Sequence, residues 1–187
     1  MAIKNIIFDF DGTLVDSSYA VEQLFNHFKQ KYVKKEIGKT QLHALRQMSL
    51  LQKLKKTGIP LYRVPSILVE AKKLYADYMY KVKLVDGILQ ILEKLDRQGF
   101  ELSILSSNSV QNISSFLNHK CINLFSGIYS AKNIFEKNKA IIKILKQKKL
   151  NREDVVYVGD ELNDIIACKK IPVKVLAVTW GLDSLDA

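Results

Sequence analysis

Cysteine is scarce in this chain. Its 187 residues include only two, Cys121 and Cys168, which is too few for a disulfide framework. Both lie in apolar-patterned segments and read as buried thiols in a reducing compartment, so a cytoplasmic protein is expected. Long apolar runs are missing too. None approaches the roughly 20 residues that a membrane-spanning helix needs, and no membrane association is expected. The opening MAIKNIIF resembles a weak signal sequence, but Asp9 and Asp11 interrupt it too early. Internal repeats and low-complexity tracts are also lacking. The three histidines, His27, His43 and His119, show neither metal-like nor triad spacing and read as structural or exposed.

What is present is the composition of a folded protein, 48% hydrophobic and 26% charged. The length suffices for one substantial core and a smaller accessory domain. The net charge of +10 is unevenly spread. Between Asp16 and Leu84 there are 14 Lys plus Arg against 5 Asp plus Glu, a balance of +9. Such a segment is either a solvated helical surface or a positive field for anionic substrates or a polyanion.

Periodicity divides the chain in the same way. Ile3 to Phe8 is an apolar run that predicts a buried strand. Helical spacing follows at Val21, Leu24, Phe25, Phe28 and Tyr32, and again from Val64 to Tyr78, with Pro65 in that helix's first turn. Leu42, Leu45, Met48 and Leu51 suggest a helix between them, and Gly58-Ile59-Pro60 a turn. No strand is evident in this segment. From Val85 onward, strands and helices alternate. Strands are expected at 102–105, 127–130, 155–158 and 173–178. Helices are expected from a cap at Asp86 to Gly99, then at 110–117, 139–149 and 164–169. This alternation predicts an α/β fold: a Rossmann-like parallel sheet with helices on both faces. Residues 1–15 and 85–187 would form that core, and residues 16–84 a small all-helical insertion after the first strand.

Ligands of open parallel sheets bind at the carboxyl ends of the strands, and four features fall there. They are Asp9-Phe10-Asp11-Gly12-Thr13, Ser106-Ser107-Asn108, a lysine (Lys137 or Lys139) at the start of the Lys-rich helix, and Gly159-Asp160-Glu161-Leu162-Asn163-Asp164. Asp9, Asp11, Asp160 and Asp164 would repel one another unless a hard cation sat among them, and ligands that are all oxygen favour Mg²⁺. A serine at a helix start, with free N–H groups and the positive end of the helix dipole, suits a phosphoryl group. A lysine adds a point charge to the same anion. Together with a carboxylate able to attack, these features point to phosphoryl transfer through an aspartyl phosphate.

With DFDGTLVDS, LSILSSNS and VVYVGDELNDI in place, the chain resembles the haloacid dehalogenase superfamily, in the branch with a helical cap inserted after the first motif and similar to phosphoglycolate phosphatases. The resemblance covers essentially the whole chain. It implies that Asp9 is the nucleophile and that Asp11 is the acid and base. It also implies that Mg²⁺ is held by Asp9, the Asp11 carbonyl and Asp160, with Asp164 completing or orienting the shell. Ser106, Ser107 and Asn108 would bind the substrate phosphate. The usual spacing back from Asp160 selects Lys137 as the lysine that neutralises it, with Lys139 the runner-up.

The second acid, Asp11, fits phosphatases and some phosphomutases and argues against dehalogenases, which lack it. A small phosphorylated metabolite is the expected substrate, and the cap would select it; Arg46 and Arg63 are possible anion contacts. A monomer or homodimer is expected. A phosphomutase of the same fold is the nearest alternative. A polyanion-binding protein is a second, although no nucleic-acid motif appears, so nucleic acid is not an expected partner. Trp180, after the last strand, lies either at the predicted mouth or in packing. Relatives continue with a further helix-and-strand-like segment where this chain stops at Ala187, so a shortened sheet edge is expected.

Overall fold

The computed structural model describes residues 3–32, 61–131 and 136–181. The chain divides into two units, one of Met1–Asp16 with Lys83–Gly181 and the other built on Ser17–Val82.

The first unit is organised around β1 (Asn5–Phe8), whose four residues are all buried. β4 (Glu101–Ser106) and β6 (Val155–Gly159) flank it, with β5 (Phe125–Ser130) and β7 (Lys174–Ala177) outside them, in the order β5–β4–β1–β6–β7. Every neighbouring pair is parallel, and Phe8 pairs with both Ile104 and Val158. A strand flanked on both sides is buried on both faces, which is why β1 reads as a continuous apolar run rather than an alternation.

The helices of this unit are α3 (Ile88–Arg97), α4 (Val110–His119), α5 (Lys137–Gln147) and α6 (Leu162–Lys169). Ile141 and Ile144 of α5 and Cys168 of α6 pack with Ile7, Leu105, Val155 and Tyr157 of the sheet. Burying one such aliphatic side chain is worth about 1.5–3 kcal/mol. Tyr157 also donates its hydroxyl to the Leu105 carbonyl at 3.2 Å, tying β6 to β4 across β1. The predicted parallel α/β core is present, and its elements lie within a few residues of their expected bounds.

In the second unit, α1 (Ser18–Tyr32) and α2 (Val64–Tyr78) carry the packing, and the unit has no strand among its described residues. Pro65 stands in the first turn of α2, where its missing N–H costs nothing. Phe28 stacks on Tyr32, and Tyr19 meets Tyr78 edge-on. Glu70 accepts hydrogen bonds from Lys31 at 2.6 Å and His27 at 3.2 Å, a structural role for that histidine. Arg63 lies over the rings of Tyr32 and Tyr62. The helix expected over Leu42 to Leu51, the Gly58–Pro60 turn, His43 and Arg46 all fall outside the described residues.

Four expectations need correction. The segment read as strand-free contains Lys83–Leu84, β3, which pairs antiparallel with β2 (Val15–Asp16); two residues are too few to show a period. Asp86 does not cap α3. Gly87 holds that place with φ +78° and no side-chain cap, a left-handed geometry that glycine adopts freely. α5 begins at Lys137 and not at Lys139. Of the two cysteines Cys168 is buried, but Cys121 is exposed at a left-handed turn after α4, with φ +56°.

Candidate active site

The chain continues past β1 into Asp9, whose N–H still donates to the Val158 carbonyl at 2.8 Å. Because β1 is central, Asp9 stands between the exits of β4 and β6. The chain then tightens, with the N–H groups of Leu14 and Val15 both donating to the Phe10 carbonyl at 3.0 and 3.1 Å. Gly12 turns this corner at φ +77°, and a Cβ there would overlap the Asp160 carboxylate. Only glycine meets both demands.

Asp9 is buried. Its Oδ1 accepts from the Phe10 N–H at 2.7 Å and its Oδ2 from Lys137 Nζ at 2.5 Å. Lys137 Nζ also donates to Asp164 Oδ1 at 2.6 Å and lies 3.9 Å from Glu161 Oε2. Lys139 is exposed and pairs with Glu136 at 2.8 Å. Of the two lysines that the sequence left open, the structure places Lys137 against Asp9. A helical signal distinguishes them: Lys137 shares one face with Ile141 and Ile144, which point into the core, and Lys139 does not.

Asp160 leaves β6 and accepts from the Thr13 hydroxyl at 2.9 Å. Asp164 sits in the first turn of α6, where Asp164 and Glu161 cap each other's main-chain N–H groups. Asp9, Asp160 and Asp164 each offer a carboxylate oxygen, and the three oxygens lie within 4.8 Å of one another. The Asp11 carboxylate is engaged elsewhere, accepting from Asn108 Nδ2 at 3.1 Å. Asn108 is held in turn. Its Oδ1 accepts from the Ser109 N–H at 2.8 Å and Asn112 Nδ2 at 3.0 Å, and its own N–H donates to Ser106 Oγ at 3.1 Å. Ser106 is fully buried at the end of β4, and Ser107, beside it, is partly exposed.

Burial opposes the Lys137 ammonium, but negative charge, that of Asp9 foremost, outweighs it and lifts the lysine well above its ordinary pKa. The carboxyls move as well. Burial, with Lys137 opposing it, pushes Glu161 up to about 8. Burial and then Asp9 push Asp164 up to about 7. Burial is the first cause of both carboxyl shifts, and the charge of Asp9 adds to it in each while Lys137 opposes it. Glu161 Oε2 is buried with no hydrogen-bond partner. Surplus charge, three converging oxygens and an orphaned acceptor fit a hard divalent cation, and donors that are all oxygen suit Mg²⁺.

Sequence reasoning missed Glu161, Thr13 and Asn112 as parts of this arrangement. The first two stand inside motifs already noted, and Asn112 lies one helical turn after Asn108. The structure also gives Asn108 a contact with Asp11 that the sequence did not suggest. Trp180 belongs here as well, its indole N–H donating to the Thr13 carbonyl at 3.2 Å.

Known proteins resemble this chain in sequence and in fold. The family described as haloacid dehalogenase-like hydrolase matches residues 6–178. A phosphoglycolate phosphatase of Synechococcus elongatus is 32% identical, over 97% of this chain and 86% of its own. The pyrophosphatase PpaX of Bacillus cereus is 22% identical, over 97% of this chain and 86% of its own. Among solved structures, a haloacid dehalogenase-like family hydrolase from Streptococcus pneumoniae superposes with a TM-score of 0.79 at 25% identity, covering 98% of this chain and 88% of that one.

Proposed function

The chain belongs to the haloacid dehalogenase-like hydrolases, and on that footing we propose a magnesium-dependent phosphatase that cleaves a small phosphorylated metabolite through an aspartyl phosphate. The observation that carries this reading is Asp9, a buried carboxylate at the end of the central strand, held between the Phe10 N–H and the Lys137 ammonium.

In the first half-reaction an Asp9 oxygen bonds to phosphorus as the bond from phosphorus to the leaving oxygen breaks. Asp11 gives its proton to that oxygen. In the second, Asp11, now ionised, takes a proton from water, and the water oxygen attacks phosphorus. The bond from phosphorus to Asp9 breaks, releasing inorganic phosphate and restoring both residues. Asn108 orients the Asp11 carboxylate for both proton transfers. The Ser106 hydroxyl and the Ser107 N–H hold phosphoryl oxygens, and Lys137 offsets their charge. A magnesium ion held by Asp9, Asp160 and the Asp11 carbonyl, with Asp164 completing or orienting its shell, would neutralise charge that builds on those oxygens.

On this reading residues 16–84 are the cap that selects the substrate, and the protein works in the cytoplasm. Phosphoglycolate is the first candidate substrate, because the relative at 32% identity is named for it and the basic balance of residues 16–84 suits a second anionic group. Inorganic pyrophosphate is the second, favoured by the pyrophosphatase relative.

The test is phosphate release from phosphoglycolate, pyrophosphate and a panel of sugar phosphates, with and without Mg²⁺, run beside Asp9→Asn. We expect metal-dependent release that the substitution lowers by on the order of 10³-fold or more. Silence across the panel in folded, magnesium-loaded protein would sink the phosphatase reading. An isomerised product in place of free phosphate would indicate a mutase.

A further inference from the structure

Trp180 is the chain's single tryptophan. It follows β7 and leaves 53% of its surface in water, yet its indole N–H is committed to the Thr13 carbonyl at 3.2 Å. Thr13 is fully buried. Its hydroxyl donates to Asp160 Oδ1 at 2.9 Å, so one residue links the indole to a carboxylate of the acid cluster. The segment around Trp180 is fixed on both sides. The Val178 N–H donates to the Gly159 carbonyl at 2.9 Å, and Gly181 lies so close to Asp160 that a Cβ on it would overlap that side chain.

We propose that Trp180 is a positioning residue for Asp160, acting through Thr13, and that it thereby sets the affinity of the acid cluster for a divalent cation. The inference rests on reading Asp9, Asp160 and Asp164 as the magnesium site. A carboxylate binds an ion tightly only if its rotamer is already fixed, and outer hydrogen bonds do that fixing. The Thr13 hydroxyl is such a bond. It points at Asp160 while the Thr13 backbone is held, and the peptide after Thr13 is held at both ends, by the Leu14 N–H on the Phe10 carbonyl and by the indole N–H on the Thr13 carbonyl. Packing alone would not call for the indole N–H, since a ring without a donor would cover the same surface. Trp180→Phe keeps most of the ring and removes the donor, which separates the two roles.

The experiment is calorimetric titration of the intact protein with magnesium chloride alone, with denaturation midpoints recorded in EDTA. Trp180→Phe should bind magnesium about three- to tenfold more weakly, with a midpoint near the parent's. Thr13→Val should lose about tenfold or more, and Thr13→Ser, which keeps the hydroxyl, should recover most of it. The double variant Thr13→Val with Trp180→Phe should bind no more weakly than Thr13→Val alone, because both act on one path. The parent offers a reading that needs no variant: its Trp180 emission should change with the same magnesium half-point that calorimetry gives. Parental affinity in folded Trp180→Phe, or an indole that is silent to magnesium, overturns the positioning role while leaving the magnesium site in place. A parent that binds no magnesium, or that binds it unchanged after Asp160→Asn, overturns both.

Discussion

Helix α5 meets the sheet with a lysine at each end, and the two lysines live in opposite electrostatic circumstances. Lys148, its C-cap, donates to Glu101 Oε1 at 2.6 Å, Ser126 Oγ at 2.7 Å and Ser103 Oγ at 3.2 Å, where β4 and β5 begin. One ammonium faces one carboxylate and two hydroxyls, and its hydrogen bond holds the Glu101 carboxyl below its ordinary pKa. Lys137, at the carboxyl ends of the strands, faces Asp9, Asp164 and Glu161, and there burial pushes the Asp164 and Glu161 carboxyls up. Both lysines fasten the same helix to the same sheet. At the Lys148 end one ammonium meets one acid, and at the Lys137 end one ammonium meets three, two of which hold their protons to about neutral pH. That surplus of acids lies at the end where the proposed magnesium ion would bind, in exchange for those protons.

The sharpest way to break this contrast is to remove each lysine in turn. Lys137→Met should lower phosphate release by on the order of 10²–10³-fold. It should also cost about 3–5 kcal/mol of stability in urea titrations, because it strands buried carboxylates. Lys148→Met should leave kcat intact and cost about 1 kcal/mol or less. Similar losses of activity in both variants would show that the helix ends are not specialised.

The pH response sharpens it further. Free of magnesium, the folded protein keeps protons on Asp164 and Glu161 up to about pH 7 and 8, whereas the unfolded chain releases them near 3.8 and 4.5. The folded state therefore binds more protons between those limits, and stability falls as pH rises through the window. Melting temperatures in EDTA should decline accordingly, and Glu161→Gln should flatten the decline. Added magnesium should flatten it as well.

At the other end the sign reverses. The lowered carboxyl of Glu101 contributes stability that is present above its ordinary pKa and fades as pH falls through its folded value. Glu101→Gln should shift only the acid limb of the profile. This is the smallest expected change, because that pair is partly exposed.

The sequence discloses these two ends unequally. Asp9, Ser106 and Asp160 were legible because each follows a strand that could be read from its apolar run, and strand exits are where a parallel sheet collects its chemistry. Lys137 was harder. Its helix starts two residues earlier than the lysine-rich pattern suggested, and its alignment with Ile141 and Ile144 adds to the spacing from Asp160 in separating it from Lys139. The links from Trp180 to Thr13 and from Asn108 to Asp11 join residues far apart in the chain, and no local period records such a bond. The expected cap at Asp86 and the expected burial of Cys121 fail for a different reason. Left-handed backbone is set by how neighbouring elements meet, and composition does not reveal it.

The order of strands also has a consequence in time. β1 precedes every other strand of its sheet in sequence, yet it lies at the centre, and Asn5 pairs with Val155. Its second neighbour, β6, is made long after it. Contacts so distant in sequence close slowly, so while the intervening chain is being made Asp9 has neither Lys137 nor Asp160 beside it. The Asp9 carboxylate belongs to an unfinished cluster until β6 docks and brings Asp160 to it.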